Sequence, residues 1–123
     1  MAVIQRAQVT APVLRKETVL VPQLGGDVIV RGLLLSERLQ IDTIKSAMLK
    51  PLEGETVEQA QYRAGSAIVF VTLERTVMAA DEQPVFSASA WDLFGAQHPD
   101  AVLDLYRTAR RLSGFDQEAT EKN

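Results

Sequence analysis

The chain has 123 residues, 46% hydrophobic and 24% charged, with a net charge of −3, the balance of one globular domain with a modest core. It has no cysteine, which excludes disulfides and zinc–thiolate sites and fits a reducing compartment, and its single histidine, His98, excludes an all-histidine metal site within one chain. No basic run exceeds Arg110-Arg111 and no apolar stretch is longer than about Ala64 to Val71, so neither a nucleic-acid nor a membrane partner is expected.

Residues 1–16 read as an N-terminal arm. Val3, Ile4, Val9, Val13 and Leu14 keep no clean period, Pro12 interrupts them, and at most one short strand is expected. No charged lead precedes an apolar run, so no signal peptide is expected. Glu17 to Arg31 reads as a β-hairpin. Val19 and Val21 alternate with Thr18 and Leu20, the turn is placed at Gln23-Leu24-Gly25-Gly26-Asp27, and Val28-Ile29-Val30 returns. Gly32 breaks the strand, and Ser36 is the expected cap of a first helix running to Leu49. Leu39, Ile41, Ile44, Ala47 and Met48 form its apolar stripe, with Glu37 and Arg38 on the wetter side; Lys50-Pro51 ends it.

Thr56 and Gln59 have capping-box spacing, which opens a second helix running to about Glu74. Its segment 67–72 is also a good buried-strand sequence, and periodicity leaves both readings open; the capping signal favours helix. Thr76 to Ala80 is expected to be extended, Asp81 to Pro84 to turn, and Val85-Phe86 to pair back. Ser87 caps a short third helix, expected from Ala88 to about Phe94 and ended by Gly95. Pro99 and Asp100 open a fourth, with Ala101, Leu103, Leu105, Tyr106, Ala109 and Leu112 facing inward and Gly114 at C′. Residues 115–123 read as a polar tail. The fold class is α+β: a mainly helical single domain, 17–114, of three to four helices with an N-terminal β-hairpin.

The order of apolar strand, Pro22, Gly25-Gly26 turn, strand ending in Arg31, and Ser36-Glu37-Arg38 helix start resembles the tail assembly chaperones of siphovirus-type phages, which have long non-contractile tails. A second block matches more loosely: the Tyr62 to Val77 helix, the Asp81-Glu82-Gln83-Pro84-Val85-Phe86-Ser87 step, then Ala88 to Leu112. The chain departs from the family at Leu24, where an aromatic residue often precedes the glycines, and at Gln83, where the acidic turn usually has glycine. The resemblance implies a non-enzymatic binding protein of the host cell cytoplasm, not expected in the mature virion and without a cofactor. Its implied partner is the tape measure protein, which it would keep soluble during tail tube assembly; the tail tube protein and self-association are further expectations. It also implies a longer form made by −1 ribosomal frameshifting; Lys122-Asn123 is what the zero frame of the slippery heptamer A AAA AAC encodes. The alternative within phage assembly is a tail-completion or head–tail connector protein.

Sharper chemical readings find little support. His98 as a general base lacks a nucleophile and an orienting acid at any recognisable spacing, and suits a helix start better. Asp81, Glu82, Asp92 and Asp100 match no metal-binding loop, and Gly25-Gly26 lacks the phosphate-loop patterns. Arg63, Arg107, Arg110 and Arg111 suit solvated helix faces, with acidic partner segments as the functional alternative. The candidate partner-binding residues are the apolar hairpin face, Val19, Val21, Val28 and Val30, and the helical aromatics Trp91 and Phe94; each has an alternative reading as core.

Overall fold

The structure is a computed structural model describing residues 2–115. Lys16–Val21 forms β1 and Gly26–Arg31 forms β2, paired antiparallel from Lys16↔Arg31 to Val21↔Gly26. The connection is tighter than the expected turn. Pro22–Leu24 makes one 3-10 turn, where a fixed φ and a missing N–H cost nothing, and Gly25 takes the positive φ of +85°. Gly26 is already strand. The arm ahead of β1 carries a 3-10 turn at Arg6–Gln8 in place of the short strand considered from sequence.

Helix α1 spans Leu35–Met48 and starts one residue before the expected cap. Ser36 lies inside the first turn. Glu37 supplies the terminal contact instead, its Oε1 accepting the Leu34 N–H at 2.9 Å. Ile41 is buried and Ile44 and Met48 are half-buried, but Leu39 and Ala47 of the expected stripe are exposed. Glu37, placed by periodicity on the wet side, is buried because two arginines surround it.

Helix α2, Val57–Thr76, settles the ambiguity at 67–72 as helix. Its capping box forms in both directions: Thr56 Oγ1 accepts the Gln59 N–H at 3.1 Å and Gln59 Oε1 accepts the Thr56 N–H at 2.9 Å. It is the central element, packed against α1, against α3 (Ala88–Gln97), against α4 (Pro99–Leu112) and against the sheet. Ala60 and Ala64 are buried at the close approaches, while Val57, expected on the same face, is exposed. After α2 the chain turns directly into β3, Val77–Met78, which pairs with β2 and completes a sheet of order β1-β2-β3. The Val85 N–H returns to the Val77 carbonyl at 3.2 Å, as the expected pairing back requires.

Ser87 caps α3 by accepting the Ala90 N–H at 3.3 Å. The helix does not stop at Gly95. It continues to Gln97, because the glycine lies inside the contact with α4; a Cβ there would sit 3.3 Å from Val102. In α4, Ala101, Leu105 and Ala109 are buried as expected, together with Val102, while Leu103 is exposed. Gly114 has φ +89°, the left-handed C′ geometry.

The link from β2 to α1 is locked against the end of α4. A Cβ on Gly32 would meet the Leu112 carbonyl oxygen at 2.6 Å, and the Leu33 N–H donates to Ser113 Oγ at 2.9 Å. Phe115, assigned from sequence to the tail, is half-buried, with Arg38 4.0 Å and Arg110 4.6 Å from its ring centre. The rest of the expected tail, 116–123, lies outside the described residues.

Candidate partner-binding site

The six candidate residues are brought together, mostly as core. Strand alternation turns Val19, Val21, Val28 and Val30 toward α4 and α2. Val21, Val28, Val30 and Trp91 are buried, and Val19 and Phe94 are half-buried. Trp91 is fully enclosed, edge-on to Phe86 (4.9 Å between ring centres) and to Phe94 (5.6 Å). Its indole Nε1 has no hydrogen-bond partner among the described residues. The valine face and the indole therefore hold the sheet to the helices, and only the edges of Val19 and Phe94 reach the surface.

The surface above this core carries an accessible apolar area. An open groove of about 350 Å³ runs between α2, α3 and the start of α4. Val69, Phe70, Pro99, Val102 and Leu103 line it, and Asp92 and Ser66 add polar groups. Sequence reading missed it, because Leu103 was read as inward and Val69 belongs to a helix that is apolar on most sides. The available signal was Leu103 itself: it lies two residues from Leu105 and cannot share its helical face. Elsewhere Leu52, Val57 and Tyr62 are exposed at the α1–α2 turn and Leu35 and Leu39 at the start of α1.

The charged groups mostly hold elements together. Arg31 makes a two-pronged contact with Glu37 (2.7 and 2.8 Å), and Arg75 approaches the same carboxylate at 3.7 Å, so β2, α1 and α2 meet at one buried acid. The Arg31 hydrogen bonds hold the Glu37 carboxyl below the usual glutamate range, and the same contact raises Arg31. Arg63 grips Glu55 through two contacts at 3.0 Å and donates to the Met48 carbonyl at 2.9 Å, tying the end of α1 to α2; the Arg63 bonds to Glu55, with the Leu52 N–H, lower the Glu55 carboxyl. Arg107 pairs with Asp104, Arg111 pairs with Glu17, and Arg110 lies over Tyr106 and Phe115.

His98 links α3 to α4 and makes no side-chain cap; its ring packs on Phe94 at 5.0 Å. Ser87 and Ser89 contact each other at 3.2 Å. Among the described residues no cluster of three acids or histidines could hold a metal ion, and no helix is long and apolar enough to cross a membrane.

The arrangement of hairpin, central helix, short extended step and two closing helices is similar to a solved protein of bacteriophage HK97, described as a tail assembly chaperone. The TM-score is 0.53 at 20% identity, covering 86% of this chain and 88% of that one. The chain has the fold of a phage tail assembly chaperone. No protein-family model and no curated protein matches it. The two departures from the chaperone pattern have local solutions. Leu24 packs against the core beside the glycines. In the acidic turn Glu82 takes φ +64°, with the Gln83 N–H held by Asp81 Oδ1 at 3.1 Å and Lys16 reaching Glu82 at 2.8 Å.

Proposed function

We propose that the chain is a phage tail assembly chaperone, a non-enzymatic binding protein that keeps the tape measure protein soluble in the host cytoplasm until tube subunits enclose it. The observation that carries this reading is the fold shared with the HK97 tail assembly chaperone over most of both chains. A tape measure protein is long and helical, with apolar stripes that aggregate when bare, and a helix-in-groove contact repeated by many copies would cover it. We assign that contact to the groove between α2, α3 and α4. It is apolar along most of its lining and of a size to take side chains from one helical face. Trp91 and Phe94 support the groove from beneath by fixing α3, and the hairpin valines fix α4.

The test is co-expression with the tape measure protein encoded nearby, followed by pull-down and a solubility assay. Association and a rise in soluble tape measure protein support the reading. Leu103→Asp, at a position 45% exposed, is expected to abolish both while leaving the circular dichroism spectrum unchanged. Absence of association, or recovery of this chain in purified virions, overturns it and favours the connector alternative.

A further inference from the structure

We propose that the groove between α2, α3 and α4 selects a basic amphipathic helix, with Asp92 and Glu58 reading its charge, a selection that rests on the docking role assigned to the groove above. Along α2, Glu58, Tyr62, Ser66 and Phe70 follow one another at four-residue spacing, so they form one row on the helix surface. Ser66 and Phe70 line the groove, and Glu58 and Tyr62 line an open hollow that extends it along the same row. The row measures about 18 Å, enough for about three turns of a docked helix. Tyr62 is 79% exposed and offers its ring at the far end. Asp92 and Ala96 stand on the facing wall, from α3. The short side chains of Ser66 and Ala96 leave the floor open to apolar side chains from one face of a helix.

Charge decides which helix fits. Glu58 and Asp92 are the charged groups that line the groove and its extension among the described residues, and no lysine or arginine lines either. Both are exposed, and neither makes an ion pair among the described residues. The cations closest along these helices are committed elsewhere. Arg63, between Tyr62 and Ser66, turns back to Glu55 and the Met48 carbonyl, and Arg107, one turn beyond Leu103, is paired with Asp104. The cleft between α1, α2 and α4 has the opposite balance, with Arg38, Lys45 and Arg110 against Asp42. The acidic character of the groove is therefore local and does not simply follow the net charge of −3. An apolar floor with one carboxylate on its wall and another at its end attracts a helix whose apolar stripe is flanked by Lys or Arg. It repels one flanked by Asp or Glu, because each like-charge approach costs energy that the apolar contact must make good.

The test uses the full chain and two synthetic helical peptides of about 18 residues, identical in their Leu/Ala stripe, with Lys at the polar positions of one and Glu at those of the other. Binding is read by fluorescence polarisation at low and raised salt. The wild type is expected to bind the Lys peptide about tenfold more tightly than the Glu peptide at low salt, with the ratio shrinking as salt screens the contacts. Asp92→Lys is expected to bring the ratio close to one. Asp27→Lys makes the same change in net charge at an exposed position on β2 and is expected to keep the ratio. Leu103→Asn is expected to weaken the Lys peptide, since the apolar floor supplies the contact. Asp92→Asn, similar in shape and uncharged, is expected to give an intermediate ratio and replaces Asp92→Lys should that variant misfold. Failure to bind the Lys peptide, equal binding of the two peptides, an equal loss of preference in Asp27→Lys, or binding indifferent to Leu103→Asn overturns the proposal. Tape measure association that survives Asp92→Lys but not Leu103→Asp sinks the charge selection and leaves the chaperone reading standing. Selective binding of the Lys peptide without tape measure association does the reverse.

Discussion

Two regions of this molecule are held by different forces. In the half made by the hairpin, α3 and α4, Val30, Trp91 and Leu105 are almost completely enclosed and touch one another's neighbours across three elements. Helix α1 contributes Ile41 as its buried apolar side chain, and its other buried residue is a glutamate. It is fastened at its start by Arg31 and Arg75 around Glu37, and at its end by Arg63 against Glu55 and the Met48 carbonyl. The first region rests on apolar area removed from water, which is indifferent to pH. The second rests on directional, charge-assisted contacts, which are not. The lesson is that α1 is the element whose attachment can be loosened while the rest of the domain stays folded.

The largest expected effect is in the apolar half. Trp91→Ala removes the largest enclosed side chain and should cost about 3–5 kcal/mol, seen as a lowered urea midpoint for the whole domain. A loss below 1 kcal/mol would mean that the aromatic cluster is not the keystone of that half. Next comes Glu37→Gln, which leaves Arg31 without its counterion and should cost about 1–3 kcal/mol, trimmed by solvent at the partly exposed Arg75. Its pH dependence separates the regions. The folded Glu37 carboxyl is held below its unfolded value, so its contribution is full above about pH 4.3 and is lost as pH falls through the folded value. Urea titrations should therefore show the gap between wild type and Glu37→Gln closing with acid, while the gap for Trp91→Ala stays constant over the same range.

A smaller, local change is expected from Arg63→Ala. Amide hydrogen exchange should quicken several-fold in the last turn of α1 and the following loop, with α4 unaffected. Equal acceleration in both helices would erase the distinction between the regions. The smallest effect is expected at the acidic turn. Glu82→Gly relieves a positive φ but loses the exposed contact with Lys16, so the melting temperature should stay close to that of the wild type.

Where hydrogen bonding and backbone preference within a few residues decide structure, the sequence was legible. The hairpin, the Thr56–Gln59 capping box, the Ser87 cap, the Pro99 start and the left-handed Gly114 all follow from local chemistry and are present. The misses are tertiary. Ser36 is a better cap than Leu34 in isolation, but the Glu37 carboxylate, positioned by arginines from β2 and α2, sets the start of α1. Gly95 is a plausible helix end until Val102 packs against it. Leu103 looks inward by type, yet only the packing of α4 on the sheet tells which side of that helix is buried.

The candidate site divides the same way. That Val19, Val21, Val28, Val30, Trp91 and Phe94 matter was readable, because aromatic and β-branched residues in alternation or at helical spacing are rarely idle. Whether they face a partner or one another was not, since a residue's type reports its preference for leaving water and not what takes the water's place. By itself the sequence determined the order of elements, their approximate lengths and the caps of α2 and α3, all of which depend on neighbours within four residues along the chain. Only the tertiary structure decided that a third strand joins the hairpin, that a glutamate sits in the interior, and that an open apolar groove lies between α2, α3 and α4. Each of those depends on contacts between residues far apart in sequence, whose energies no local pattern contains.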